Sequence, residues 1–307
     1  MITFPGKPGV RTSGGTSPTS GIATDSGTSA DPEPSDTDPR RRALPYRLIA
    51  TDLDGTLLRS DETISERSRA ALAAAAEAGA AHIIVTGRAV ASTRHILDDL
   101  GYRGLAVCGQ GAQVYHAGEH RLLTSMTLDR ELAALALAKL EAETGPLLLA
   151  GCRDGLDGEF LVGDGYHMAT SLPARRLRDA DELWEAPLAK LFIQHPRYSD
   201  DELVQTARQV VGDLVGTVLA GPGIVEILPL GLTKATGLSL AAHRLGLTWA
   251  DTIAFGDMPN DVPMFEWSAC GVAMANAHEE LKAVADRITD SNDADGIATV
   301  IEELFAL

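Results

Sequence analysis

The stretch Leu48-Ile49-Ala50-Thr51-Asp52-Leu53-Asp54-Gly55-Thr56-Leu57 decides how the rest of the chain is read. A short apolar run ends in two aspartates two residues apart, with a glycine directly after. On an extended strand, side chains at i and i+2 point to one side, so both carboxylates are expected to face the same spot. Gly55 then allows the backbone to turn away. Two carboxylates held close repel unless a cation or a shared proton relieves the charge. The pattern therefore suggests a divalent metal and a phosphoryl group, with an aspartate as nucleophile. A surface turn or part of a calcium loop is the bland alternative. The apolar strand in front, and the lack of further acids at calcium-loop spacing, weigh against it.

The flanking segments extend this strand into an α/β pattern. Ser65 suits a helix N-cap, Glu66 a first turn, and Gly79 a helix stop after an alanine-rich run. Ala81–Val85 is a continuous apolar strand of the kind buried on both faces of a parallel sheet. It runs into Thr86-Gly87-Arg88, a helix to about Leu100, and a third strand at Leu105–Cys108. Strand, helix, strand, helix, strand predicts a doubly wound parallel sheet. The middle of the chain reads differently: a helix over Asp129–Glu143, then Leu147–Cys152 and Glu159–Val162 as a hairpin. A polar stretch with Arg175, Arg176 and Arg178 follows, then Leu188–His195, a helix over Asp200–Val211, and strands at Val215–Leu219 and Ile224–Leu228. This mixed block predicts an inserted α+β lid. The parallel pattern resumes with a helix near Ala235–Leu245 and the strand Thr252–Phe255. A helix through Met264–Ser268, a strand at Gly271–Met274, and helices at Leu281–Ala285 and Ala298–Ala306 complete the chain.

Composition narrows the possible functions. With 307 residues, 45% hydrophobic and 22% charged, the chain is long enough for two packed domains. No apolar run approaches the roughly 20 residues of a membrane helix. The net charge of −17, from 26 basic and 43 acidic residues, disfavours nucleic acid and anionic membranes as partners. It also repels phosphorylated substrates at long range, so the site must supply local positive charge. Cys108, Cys152 and Cys270 show neither metal-ligand nor disulfide spacing, which fits a reducing cytoplasm. Of the first 40 residues, 25 are Gly, Pro, Ser or Thr, too few apolar groups to offset the entropy of ordering. Residues 1–43 read as a disordered extension without a catalytic role, or as a start placed too far upstream.

Three more polar sets fall where α/β sheets bind ligands, at strand carboxyl ends. Thr86 offers a hydroxyl and nearby N–H groups to phosphate oxygens, with Gly87 allowing close approach. Read alone, Thr86 is equally a helix cap and Arg88 a solvated charge. Lys234, at a helix start, sits against the helix dipole, a local conflict that points to phosphate neutralisation, although a lone lysine is commonly only solvated. In Gly256-Asp257-Met258-Pro259-Asn260-Asp261, Asp257 can offer an oxygen ligand to Mg²⁺. Asn260 and Asp261 can orient Lys234 or the phosphate, and Pro259 suits a first helical turn. A simple turn and cap would explain the same segment.

Taken together, the chain resembles the haloacid dehalogenase superfamily, in its Cof-type sugar-phosphatase branch (type IIB, with a C2 cap). Asp52-x-Asp54-Gly55-Thr56 is similar to that family's first motif and Thr86-Gly87-Arg88 to its second. Lys234 corresponds to the third, and Gly256-Asp257-x-x-Asn260-Asp261 to the fourth. The resemblance runs from about residue 46 to the C-terminus. It implies a Rossmannoid core over 44–126 and 227–307, with the cap at 127–226. It further implies an Mg²⁺-dependent phosphatase acting on a small phosphorylated metabolite. Asp52 would be the nucleophile and Asp54 the acid and base. Asp52, the Asp54 backbone carbonyl and Asp257 would hold the metal. Thr86, Gly87, Arg88, Lys234 and Asn260 would bind phosphate or substrate, and Asp261 would orient. Gln110-Gly111-Ala112 stands where many relatives have Asn-Gly-Ala, and Ala275-Asn276-Ala277 where many have Gly-Asn-Ala. A phosphomutase remains an alternative, as do a phospho-aspartate receiver and a catalytically silent binding protein.

Overall fold

A computed structural model describes residues 44–167 and 173–305. The extension expected over 1–43 lies outside the described residues. In chain order, β1 (Leu48–Thr51), α1 (Glu66–Glu77), β2 (Ala81–Val85), α2 (Val90–Asp99), β3 (Leu105–Cys108), β4 (Gln113–His116) and β5 (Arg121–Ser125) form the first block. The second block is α3 (Arg130–Thr144), β6 (Leu148–Arg153), β7 (Phe160–Val162), β8 (Ala174–Arg176), β9 (Leu188–Gln194), α4 (Asp200–Val211), β10 (Gly216–Gly221) and β11 (Ile224–Leu228). The chain then returns through α5 (Lys234–Arg244), β12 (Thr252–Gly256), α6 (Val262–Trp267), β13 (Cys270–Ala273), α7 (Glu279–Lys282), β14 (Arg287–Ile288) and α8 (Gly296–Phe305).

Among the described residues the strands make two sheets, an eight-stranded one ordered β14-β13-β12-β1-β2-β3-β4-β5 and a six-stranded one ordered β10-β11-β9-β6-β7-β8. From β14 to β3 the first sheet is parallel, and β4 and β5 extend it antiparallel. That antiparallel edge was not anticipated. Its strands are short and carry polar or charged residues, so periodicity alone does not separate them from loops. The polar stretch around Arg175 likewise contains a strand, β8, paired parallel to β7. The cap expected to end at 226 continues through β11 to Leu228.

Period-two alternation assigns the core faces. Ile49, Ile84, Ala106 and Ile253 pack with Ala71, Ala75, Leu97 and Ile297, under α1, α2 and α8. Leu48, Ala50, Ile83 and Val107 pack with Leu238, Ala241, Met264 and Leu281, under α5, α6 and α7. Helices on both faces explain why β1 and β2 read as unbroken apolar runs. In the second sheet, Leu191, Ile193, Val225 and Ile227 pack with residues of α3 and α4. The intervening positions Lys190, Phe192, Ile224 and Glu226 line a cavity facing the first sheet.

A polar contact within this core joins β1 to β2: Thr51 Oγ1 and His82 Nε2 are 2.8 Å apart. Burial pushes the His82 imidazole down from 6.5 to about 4. Its folded-state pKa is depressed, so the associated stability is fully present above 6.5 and is lost as pH falls towards 4. His82→Gln is expected to flatten the acid limb of the Tm–pH curve in that window. An unchanged acid limb would exclude His82 as its source.

Candidate active site

Asp52 follows the last residue of central β1, flanked by β12 and β2, so the ends of three parallel strands converge beside it. After Asp52 the chain does not continue extended. Leu53–Leu57 forms a tight turn in which Gly55 has φ 67°. A Cβ at Gly55 would fall 2.3 Å from Asp257 Oδ2, so a side chain there would drive the turn and Asp257 apart. Asn276 Nδ2 donates to the Gly55 carbonyl at 2.8 Å, which braces the turn from the far side.

This turn corrects the expectation that both carboxylates face one spot. Asp52 is buried, with Oδ1 2.9 Å from Lys234 Nζ. The Asp54 side chain is half exposed and is held in a fork by Arg88, whose Nη2 and Nε donate to its two oxygens at 2.5 and 2.7 Å. Both aspartates line the same cavity, but they serve different partners.

Lys234 is the first residue of α5 and is wholly buried. Besides Asp52 it donates to Asp261 Oδ1 at 2.7 Å. Burial alone would push its ammonium down, but the carboxylates of Asp261 and Asp52 hold it above its usual value. The conflict with the helix dipole is therefore resolved by two anions. Asp261 Oδ2 accepts from the N–H groups of Asp257 and Met258 at 3.0 and 3.1 Å, so both Asp261 oxygens are committed. Asp257 Oδ1 accepts from Thr56 Oγ1 at 2.9 Å.

Asp52, Asp257 and Asp261 each bring a carboxylate oxygen within 4.8 Å of the others, against one lysine. Burial, followed by repulsion from Asp261, raises Asp257 to about 7 despite the Thr56 hydrogen bond. Burial also raises Asp52 well above the ordinary carboxylate range; Lys234 opposes this, while Asp261, Asp257 and Asp54 add to it. Such a cluster lacks positive charge, and its hard oxygen donors suit a hard divalent cation. With Asp261 occupied, Asp52 and Asp257 are the carboxylates that fit the ion.

The remaining candidates sit at distinct depths. Thr86 is buried and accepts from the Arg88 N–H at 3.1 Å; the residue preceding α2 in the capping position is Ala89, so Thr86 is not that helix's cap. Gly87, Arg88 and Asn260 line the cavity. Asn260 Nδ2 donates to Gln110 Oε1 at 3.0 Å, while its Oδ1 is buried without a partner among the described residues.

Gln110 leads to residues that sequence reasoning missed. Its Nε2 donates to Glu226 Oε2 at 2.7 Å, and Glu226 pairs with Lys190, whose Nζ also donates to the Gly87 carbonyl at 2.6 Å. A buried polar chain thus ties the second sheet to the loops carrying Gly87 and Asn260. Gln110 is held at φ 59°, next to Gly111, where a Cβ would fall 2.1 Å from the Thr233 carbonyl. The available signal was a charge inside each of two apolar strands, at Lys190 and Glu226. Glu226→Ala strands a buried ammonium and is expected to destabilise by about 3–5 kcal/mol. Lys190→Met with Glu226→Leu should recover most of that, read by denaturant unfolding. Equal losses in the single and double variants would contradict the pairing.

Other cap residues are explained without substrate. Arg175 and Arg178 both clamp Glu182, and Arg175 also holds Glu159. His195 Nδ1 accepts from the N–H groups of Arg197 and Tyr198.

Residues 49–301 match the family model described as haloacid dehalogenase-like hydrolase. A 5-amino-6-(5-phospho-D-ribitylamino)uracil phosphatase of Bacillus subtilis is 32% identical over 86% of this chain and 98% of its own. An HMP-PP phosphatase of Yersinia pseudotuberculosis is 32% identical over 77% of this chain and 86% of its own. The solved structure of a haloacid dehalogenase-like hydrolase from Bacteroides thetaiotaomicron is similar with TM-score 0.67 and 26% identity, covering 85% of this chain and 100% of that one. Among the described residues no helix is long and apolar enough to cross a membrane.

Proposed function

We propose that this chain, which belongs to the haloacid dehalogenase-like hydrolases, is an Mg²⁺-dependent phosphatase of small phosphomonoesters that uses Asp52 as nucleophile. The observation that carries this reading is the buried Asp52 carboxylate, 2.9 Å from Lys234 and clustered with Asp257 and Asp261. The names of the two curated relatives, both phosphatases, support the same class.

Asp52 attacks the phosphorus, forming an acyl phosphate as the P–O bond to the leaving group breaks. Asp54 gives the departing alkoxide its proton, then takes one from the water that cleaves the acyl phosphate. For that, Asp54 must leave the Arg88 fork, and an arriving phosphate gives Arg88 an alternative anion to hold. Lys234 offsets charge on the transferring oxygens, while Asp261 fixes the ammonium in place. When bound by the Asp52 and Asp257 carboxylates and the Asp54 backbone carbonyl, Mg²⁺ supplies further neutralisation of the phosphoryl oxygens. The buried Thr86 hydroxyl accepts from the Arg88 N–H and so shapes the Gly87–Arg88 turn from below, while the Gly87 N–H is the one offered to phosphate.

Phosphate release from a panel of metabolite phosphates, with Mg²⁺ and with a chelator, tests the reading. Metal-dependent release of free phosphate is expected; isomerised sugar phosphate in its place would indicate a mutase. Asp54→Asn should slow alkyl esters by about 10²–10⁴-fold and a nitrophenyl ester far less, since a good leaving group needs no proton. Equal slowing of both would remove Asp54 as the acid.

A further inference from the structure

We infer, as a refinement that rests on the phosphatase reading, that the cavity above Asp52 takes a leaving group carrying a flat aromatic or heteroaromatic ring, held against Phe160 and Phe192. The cavity measures about 330 Å³ and has the two aspartates and Lys234 on its core side. Its cap side carries Cys152, Phe160, Tyr166, Phe192 and Ile224, beside the Lys190–Glu226 pair and the turn at 220–222. The Phe160 and Phe192 rings sit 5.0 Å apart at 52°, a tilted pair, with Lys190 Nζ 4.8 Å from the Phe192 centroid. Strand alternation fixes their direction. Leu191 and Ile193 are locked under α3 and α4, so Phe192 must face the cavity.

The polar groups near this wall are already occupied. Lys190 and Glu226 satisfy each other, the Gly87 carbonyl and Gln110. Ser92 Oγ donates to the Ala89 carbonyl at 3.0 Å, and Arg88 holds Asp54. What is left is the Tyr166 hydroxyl, which makes no hydrogen bond among the described residues, and Asn260 Oδ1, buried without a donor. A polyol entering this space would shed water from several hydroxyls and find few replacements. A ring with one or two polar edge atoms matches the supply, as ligand pockets with a mainly apolar lining generally require.

The test compares riboflavin 5′-phosphate and pyridoxal 5′-phosphate with glucose 6-phosphate, using acetyl phosphate as a ringless reference. The ring-bearing esters are expected to exceed glucose 6-phosphate in kcat/KM by about tenfold or more. Phe160→Ala should lower the ratio of ring ester to acetyl phosphate about tenfold, and Phe160→Tyr should restore it. Binding of the same esters to the Asp52→Asn protein with Mg²⁺, followed by calorimetry, reads the subsite without turnover. Glucose 6-phosphate binding as tightly as the ring esters, or a ratio unmoved in Phe160→Ala, overturns the inference. Absence of phosphate release from every one of these compounds would instead overturn the phosphatase reading, with the calorimetric comparison still deciding the subsite.

Discussion

Asp52→Asn is expected to lose turnover by on the order of 10⁴-fold or more while gaining thermal stability in the absence of metal. The first effect follows from removing the candidate nucleophile that lies beside Lys234 at the end of central β1. An amide of the same shape keeps the turn over Leu53–Leu57 but cannot form an acyl phosphate. The second effect follows from the charges. Burial and the neighbouring Asp261, Asp257 and Asp54 raise the Asp52 carboxylate well above its usual range, so placing a charge there is unfavourable in the metal-free protein. Lys234 keeps a partner in Asp261 at 2.7 Å when the Asp52 charge is removed. Phosphate release and a melting curve in chelator read the two effects together. Turnover within tenfold of the parent ends the nucleophile assignment, and a marked fall in Tm ends the account of the cluster.

Lys234→Met is expected to be the mirror case, losing both activity and about 3–5 kcal/mol of stability at pH 8. The substitution leaves Asp52, Asp257 and Asp261 within 4.8 Å of one another and removes the cation they share. The loss should shrink on acidification. Asp257 has a folded-state value raised to about 7, from 3.8, so the folded protein binds protons more tightly than the unfolded chain. A raised carboxylate contributes stability that is fully present below 3.8 and lost as pH rises through 7. Without Lys234 that dependence steepens, and the variant should recover most between pH 7 and pH 4. Mg²⁺ should also stabilise the variant more than the parent, since the ion then supplies positive charge that Lys234 no longer does. A variant as stable as the parent at pH 8, or one whose deficit is independent of pH, would show that Lys234 does not hold the cluster.

The legible part of the site was the part carried by strand ends. Asp52, Gly87 and Asp257 each follow a run of apolar β residues, and a parallel sheet must bring the carboxyl ends of adjacent strands together. Lys234 was legible because a lysine opening a helix is locally unfavourable, and Asp261 because it lies four residues beyond Asp257. Gln110, Lys190 and Glu226 were not legible as a unit. Gln110 belongs to the β3–β4 turn, Lys190 to β9 and Glu226 to β11. Their hydrogen bonds exist only because the second sheet sits over the first. The Arg175 and Arg178 clamp on Glu182 was open to a substrate reading until those partners were known.

By itself the chain's residue order determined the α/β class, the inserted lid, and the polar groups gathered at β1, β2, α5 and β12. These depend on local periodicity and on glycine and capping positions, which neighbouring residues set. Only the tertiary structure decided that Asp52 answers to Lys234 while Asp54 answers to Arg88. It alone decided that both Asp261 oxygens accept hydrogen bonds, and that Phe160 and Phe192 wall the cavity. Those outcomes turn on which distant groups share a buried space, where each oxygen and each cation can satisfy only a few partners.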